Sequence, residues 1–235
     1  MLIKAQADIV ANCARIKDHL NNICARVGVA TEKIIVVAVT KTLLPQTVEM
    51  ALKSGIMEIG ENRIQEAETK VSVIHKFNAK FHLIGHLQSN KVKKAVGLFD
   101  MIQSVDSIKI ASAISTEMEI ADKKKEVLLQ VNCSQEESKS GFDPGSLEDA
   151  VGEISLLPGL AIRGLMTIGR LTDDRRLIRK DFRQTRKLFD RMASIYPIVD
   201  MRFLSMGMSA DYEIALEEGA NMLRLGSALF GPREN

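Results

Sequence analysis

No tryptophan occurs among the 235 residues, and only two tyrosines and four histidines do. Proteins that bind single-stranded nucleic acid stack bases on such rings, and a net charge of +2 adds no basic footprint. Nucleic acid is therefore not an expected partner. Cysteine is scarce too: Cys13, Cys24 and Cys133 are odd in number and fit no zinc-ligand spacing. They read as reduced thiols of a cytoplasmic protein. The longest apolar run covers residues 34–39, far short of the roughly 20 residues of a membrane span. The segment Met1-Leu2-Ile3-Lys4-Ala5-Gln6-Ala7-Asp8 lacks the apolar stretch of a signal peptide. No repeat, low-complexity tract or Pro/Gly/Ser-rich linker divides the chain, so one domain over residues 1–235 is expected.

What is present is an alternation. Val10, Cys13, Ile16, Lys17, Leu20, Ile23, Cys24 and Val27 recur at spacings of three and four ahead of Gly28. They predict an N-terminal helix over residues 1–28 that packs on the rest. Short apolar runs follow at 34–39, 56–59, 81–84, 101–104, 127–131, 161–166, 201–204 and 221–225. Segments of helical spacing lie between them, at 47–54, 63–75, 89–96, 107–121, 146–156, 178–195 and 210–218. Eight strands alternating with helices predict parallel pairing and closure into a single (β/α)8 TIM barrel of the α/β class. An open doubly wound sheet is the alternative.

Barrels of this kind place chemistry at the C-terminal ends of their strands. The residues just past the runs are Lys41, Glu61-Asn62-Arg63, His86, Ser104, Asn132, Met166-Thr167, Ser205-Met206-Gly207-Met208-Ser209 and Gly226-Ser227. Lys41 follows, after Thr40, a run that reads as buried on both faces. Either it snorkels to solvent, or burial favours its neutral form and makes it a nucleophile toward carbonyls. The last two loops carry glycines and serines, whose N–H and hydroxyl groups suit a phosphate. An ordinary N-cap at Ser209 and an ordinary turn at Gly226 remain the plain readings. Arg224 lies inside the last run and needs an acceptor, either a buried acid such as Glu61 or a ligand atom. Together a lysine nucleophile, a phosphate cradle and a buried arginine suit pyridoxal 5'-phosphate (PLP), with the arginine at the pyridine nitrogen.

The segments that carry these residues extend nearly end to end. They include Val36-Val37-Ala38-Val39-Thr40-Lys41, Ile59-Gly60-Glu61-Asn62-Arg63-Ile64-Gln65-Glu66 and Phe81-His82-Leu83-Ile84-Gly85-His86-Leu87-Gln88-Ser89-Asn90-Lys91. Further on come Lys139-Ser140-Gly141-Phe142, Gly164-Leu165-Met166-Thr167-Ile168, Leu204-Ser205-Met206-Gly207-Met208-Ser209-Ala210-Asp211 and Arg224-Leu225-Gly226-Ser227-Ala228-Leu229-Phe230-Gly231. In these segments the chain resembles the pyridoxal phosphate homeostasis protein family, single-domain relatives of the fold-type III barrel of alanine racemase.

The resemblance implies a vitamin B6 carrier that holds PLP as an aldimine on Lys41 and releases it to apo-enzymes. It implies Arg224 at the pyridine nitrogen, phosphate contacts from Ser205, Ser209, Gly226 and Ser227, and Asn62, His86 and Met208 lining the site. The alternatives are a PLP-dependent racemase or other weak PLP enzyme and, further off, an aldolase-type barrel. A racemase needs acid–base groups on both faces of the substrate. Apart from Lys41, only Tyr212 stands near the phosphate loop, and Tyr196 is expected late in a helix. An arginine at the ring nitrogen also keeps that nitrogen unprotonated, which weakens the ring as an electron sink. Without the racemases' C-terminal domain, a monomer is expected. Lys139, in a polar loop, is a candidate to receive the aldehyde from Lys41 during release. His82 reads as a satisfied core histidine, and Met201 and Met206 as barrel filling. Gly169-Arg170 departs from the proline common among relatives and leaves the loop after the sixth strand without a template.

Overall fold

The structure is a computed structural model that describes residues 2–136 and 139–232. Helix α1 (Leu2–Val27) comes first. It ends where Gly28 takes φ +71° and the Val29 N–H bonds back to the Cys24 carbonyl at 3.0 Å, a glycine-terminated helix end. Then strands and helices alternate: β1 (Ile35–Val39), α2 (Pro45–Lys53), β2 (Glu58–Glu61), α3 (Ile64–Glu68), α4 (Val71–Lys76) and β3 (Lys80–Leu83). Next come α5 (Val92–Leu98), β4 (Met101–Val105), α6 (Ile108–Ile120), β5 (Lys125–Gln130), α7 (Leu147–Ser155) and β6 (Leu160–Met166). The series closes with α8 (Arg175–Ile195), β7 (Phe203–Met208), α9 (Tyr212–Glu217), β8 (Met222–Leu225) and α10 (Ser227–Phe230).

The eight strands pair in parallel and in chain order, and β8 returns to β1 to close the barrel. The open-sheet alternative is thereby excluded. Apolar side chains divide into two clusters. The larger lies between strands and helices and includes Ile23, Ile59, Phe81, Ile102 and Phe182. The smaller holds Val37, Met101, Leu128, Met166 and Met222, contributed by different strands, as expected of a filled barrel interior. Helix α1 packs across α2, α9 and α10, and Asn12 Nδ2 donates to the Leu229 carbonyl at 2.9 Å. Among the described residues no helix is long and apolar enough to cross a membrane.

Two differences from the expected elements bear on the site. The helix expected over 63–75 breaks at Thr69 and Lys70 into α3 and α4. Lys70 turns inward there and is almost fully buried. Strand seven was expected to end at residue 204 but runs on to Met208. Its alternation continues through Ser205 and Gly207, residues whose polarity or size reads as a loop. Ser205 is consequently an interior strand residue and not part of a loop.

Candidate functional site

Lys41 occupies a tight turn just past β1, half-buried, and its ammonium has no hydrogen bond or ion pair among the described residues. The backbone on either side of it is clamped. Thr40 is fully buried; its N–H bonds to the Gly60 carbonyl at 3.0 Å and its hydroxyl donates to Glu61 Oε1 at 2.6 Å. Lys70 Nζ donates to that same carboxylate oxygen at 2.6 Å and to the Thr40 carbonyl at 2.8 Å. On the far side Thr42 has φ +66°, strained for a β-branched residue. Its N–H donates to Glu66 Oε2 of α3 at 2.6 Å, and the Leu43 N–H closes the turn on the Thr40 carbonyl at 3.0 Å. Such strain persists where surrounding contacts over-determine the backbone. Glu61 Oε2 is the buried side-chain oxygen left without a partner among the described residues.

Because β8 pairs with β1, the loop after β8 leaves the same end of the barrel as Lys41. The Ser209 hydroxyl oxygen accepts from the N–H groups of Gly226 and Ala228, both at 3.1 Å, and so joins the loops after β7 and β8. Ser227, exposed between those two, keeps an N–H without a partner among the described residues. Gly207 sits at φ +93°, and a Cβ there would stand 2.5 Å from the Ala215 Cβ. Only glycine lets this segment pass so close to α9. Asp211 Oδ1 accepts the Met208 N–H at 2.6 Å and fixes the following turn. Burial pushes the Asp211 carboxyl above its ordinary value, against the opposing pull of the Met208 N–H and the Arg224 charge.

Arg224 is buried in β8. It donates from Nη1 to Ser205 Oγ at 2.6 Å and from Nη2 to the Thr167 carbonyl at 2.7 Å. Glu61 is therefore not its partner; that carboxylate is taken by Lys70 and Thr40. Burial lowers the Arg224 pKa to about 10, with Asp211 acting the other way, so the guanidinium is charged at neutral pH. Two of its five N–H donors are used by the neighbours named.

Asn62 and His86 belong to adjacent loops held together at Gly85, where a Cβ would lie 2.3 Å from the Asn62 carbonyl oxygen. His86 is exposed, with Nδ1 2.8 Å from Asp106 Oδ2. Both line a cavity of about 450 Å³ with Glu66, Leu83 and Lys91. Met208, exposed at the end of β7, lines a second cavity of about 680 Å³ with Lys139 and Asp211. Lys139 pairs with Glu136 and donates to the Gly169 carbonyl at 2.9 Å. Arg170 holds the buried Asp181 of α8 through two bonds of 2.7 and 2.8 Å, so an ion pair anchors the loop after β6. Both tyrosine hydroxyls are engaged elsewhere: Tyr212 with His19 Nδ1 at 2.5 Å, and Tyr196 with the Glu148 carbonyl at 3.0 Å.

The structure thus brings Lys41, Arg224, Ser209, Gly226 and Ser227 to one end of the barrel on neighbouring strands β7, β8 and β1. Asn62 and His86 follow on the adjoining loops after β2 and β3. Ser205 lies deeper, beneath Arg224. Sequence reasoning missed Lys70, Glu66 and Gln103, whose Oε1 accepts the Ser205 hydroxyl at 2.7 Å. A lysine inside a helical pattern carries no mark of burial, although Glu66 stands in a segment already singled out. A phosphorylated pyridine aldehyde fits this set: an amine unpaired among the described residues, a buried cation, and serine and backbone donors in glycine-bearing loops.

The comparisons with known proteins agree in extent with the fold. Residues 11–234 match the family model described as alanine racemase, N-terminal domain. The chain is similar to a pyridoxal phosphate homeostasis protein of Pasteurella multocida, at 34% identity over 228 residues, covering 96% of this chain and 98% of the relative. Among solved structures it is similar to PipY of Synechococcus elongatus with PLP bound. The TM-score is 0.84 and the identity 31%, over 95% of this chain and 100% of that one. An alanine racemase of Clostridium difficile shares the fold at 13% identity and TM-score 0.77, over 99% of this chain and 60% of that one.

Proposed function

The chain belongs to the alanine racemase N-terminal domain family and, within it, to the pyridoxal phosphate homeostasis proteins, and on that premise we propose that it binds PLP in the cell, holds it on Lys41 and releases it to other proteins. The observation that carries this reading is Lys41 itself: a half-buried amine with no counter-ion among the described residues, in a turn clamped on both sides. Lys41 would hold the cofactor through the aldehyde that PLP would supply when bound, a group that a primary amine captures covalently. Every other part of the site serves to bind and orient. Arg224 donates toward an acceptor nitrogen and keeps its own proton. Ser209, Gly226 and Ser227 hold the phosphate, while Asn62, His86 and Met208 bound the mouth. Ser205, an interior residue of β7, steadies Arg224.

Holding is favoured over turnover by the position of the tyrosines. The Tyr212 hydroxyl is bonded to His19 of α1, so the nearest candidate for a second acid–base group is already committed. In this reading the protein acts as a monomer in the cytoplasm, with apo-PLP enzymes as recipients and Lys139 as a relay for the departing aldehyde.

The experiment mixes purified protein with PLP and then with an apo-PLP enzyme. The expected result is a visible absorption band that decays as the recipient gains activity. Amino acids in deuterium oxide should gain no deuterium at Cα in the same sample. No band, or Lys41-dependent deuterium entry at enzymatic rates, would overturn the reading.

A further inference from the structure

Among the polar side chains that face the barrel interior, five form a linked chain beside Val37, Met101, Leu128, Met166 and Met222. They are Glu58 of β2, His82 of β3, Gln103 of β4, Ser205 of β7 and Arg224 of β8. Strand register places them on one side of the sheet. Val37 aligns with both Glu58 and Arg224, His82 with Met101, and Ser205 with Met222. A polar group buried without a partner costs about 1–3 kcal/mol, yet these five are linked to one another in sequence. Arg224 Nη1 lies 2.6 Å from Ser205 Oγ, and Ser205 Oγ lies 2.7 Å from Gln103 Oε1. Gln103 Nε2 is 3.1 Å from His82 Nδ1, and His82 Nε2 is 2.5 Å from Glu58 Oε2.

The direction of every bond follows from its first member. A guanidinium has no acceptor, so Ser205 Oγ accepts from Arg224. The serine hydrogen is then directed to Gln103 Oε1. That fixes the amide, which turns its NH2 group to His82 and to the Met222 sulfur at 3.2 Å. His82 Nδ1 must accept, so the ring proton resides on Nε2 and is donated to Glu58. A flipped Gln103 would set a second donor against Ser205 Oγ and force the hydroxyl hydrogen away from the chain. With a neutral His82 ring and an ionised Glu58, this arrangement satisfies all four links, with hydrogen bonds pointing from the cofactor end of the barrel to the opposite end. A flipped amide would require an imidazolium that donates from both ring nitrogens.

We propose that Gln103 is a positioning residue for Arg224, acting through Ser205, and that His82 and Glu58 lock its amide in the orientation this requires. Gln103 touches neither Lys41 nor the phosphate loops; it works by holding the hydroxyl against which the guanidinium is aligned. The inference rests on the reading of Arg224 as the partner of the PLP ring nitrogen.

The test uses the full chain with Ser205→Ala, Gln103→Met and the double variant. Gln103→Met keeps length and removes the hydrogen bonds, and Ser205→Ala removes one oxygen. In the apo protein, a long-range 1H–15N spectrum should show His82 protonated on Nε2, and its Nδ1 signal should move in Gln103→Met. With PLP, each single variant should raise Kd by three- to tenfold and displace the visible band. The double variant should match the weaker-binding single variant, because both act through one guanidinium. Folded variants with unchanged Kd and band, or a double variant whose effects multiply, would overturn the inference while wild-type binding stood. Wild-type protein that fails to bind PLP would remove the proposed function instead, and the apo spectrum would still report on the chain. A His82 ring protonated on Nδ1 in the apo protein would contradict the bond directions directly.

Discussion

Lys70 Nζ and Glu61 Oε1 lie 2.6 Å apart, both nearly sealed from solvent, and each also holds Thr40, the residue before Lys41. The ion pair is thus a brace for the lysine turn. Removing one partner of a buried pair strands the other charge, at about 3–5 kcal/mol. Lys70→Met should lower stability by that amount in urea unfolding. Changing both, with Glu61→Leu added, should recover a large part of it. Equal losses in the single and double variants would show that the pair carries no such coupling.

Thr42 occupies the left-handed region at φ +66°. The strain there is of the order of 1–3 kcal/mol, while glycine adds about 0.5–1 kcal/mol of unfolded-state entropy. Thr42→Gly should therefore raise stability by roughly 1 kcal/mol, read as a higher melting temperature. It should also loosen the turn, so PLP should dissociate faster from this more stable variant.

Asp211 has its carboxyl raised by burial. The native state then keeps the proton at pH values where the unfolded chain has lost it. The contribution of Asp211 to stability is fullest below the ordinary aspartate value of about 3.9 and declines as pH rises through the raised native value. Urea unfolding of wild type and Asp211→Asn between pH 3 and pH 7 should show the wild-type advantage shrinking with rising pH. An advantage that grows would contradict the burial argument.

The cysteines should differ in reactivity. Burial pushes the Cys133 thiol up to about 11, and the thiolate is the reactive form. Cys24 is buried as well, whereas Cys13 is partly exposed and lines a cavity beside α1. Alkylation of the native protein at pH 8, followed by peptide mass analysis, should modify Cys13 well before either of the others.

How far the sequence announced this structure depends on what each residue touches. The eight strands were legible because both faces of a parallel barrel are covered, which leaves compact apolar runs such as the one ahead of Lys41. Strand seven was legible only in its first two residues, Phe203 and Leu204. Ser205 and Gly207 interrupt the apolar pattern there, because one faces the polar chain of the interior and the other passes close to α9. Lys41, Ser209, Arg224 and Gly226 could be singled out because charge or small residues at strand ends are locally visible. Lys70 could not: its burial is decided by Glu61 on β2 and by the Thr40 carbonyl, partners that only the closed barrel supplies. Gln103 lay hidden for the same reason, a polar residue in a strand whose partners stand on β3 and β7.

The central claim is that Lys41 holds the cofactor. Borohydride reduction of the PLP-loaded protein, followed by proteolysis and mass spectrometry, tests it most directly. A pyridoxyl-phosphate mass on the peptide containing Lys41, at about one per chain, is the predicted result. No adduct, or one carried chiefly by another lysine such as Lys70, Lys91 or Lys139, would contradict the account.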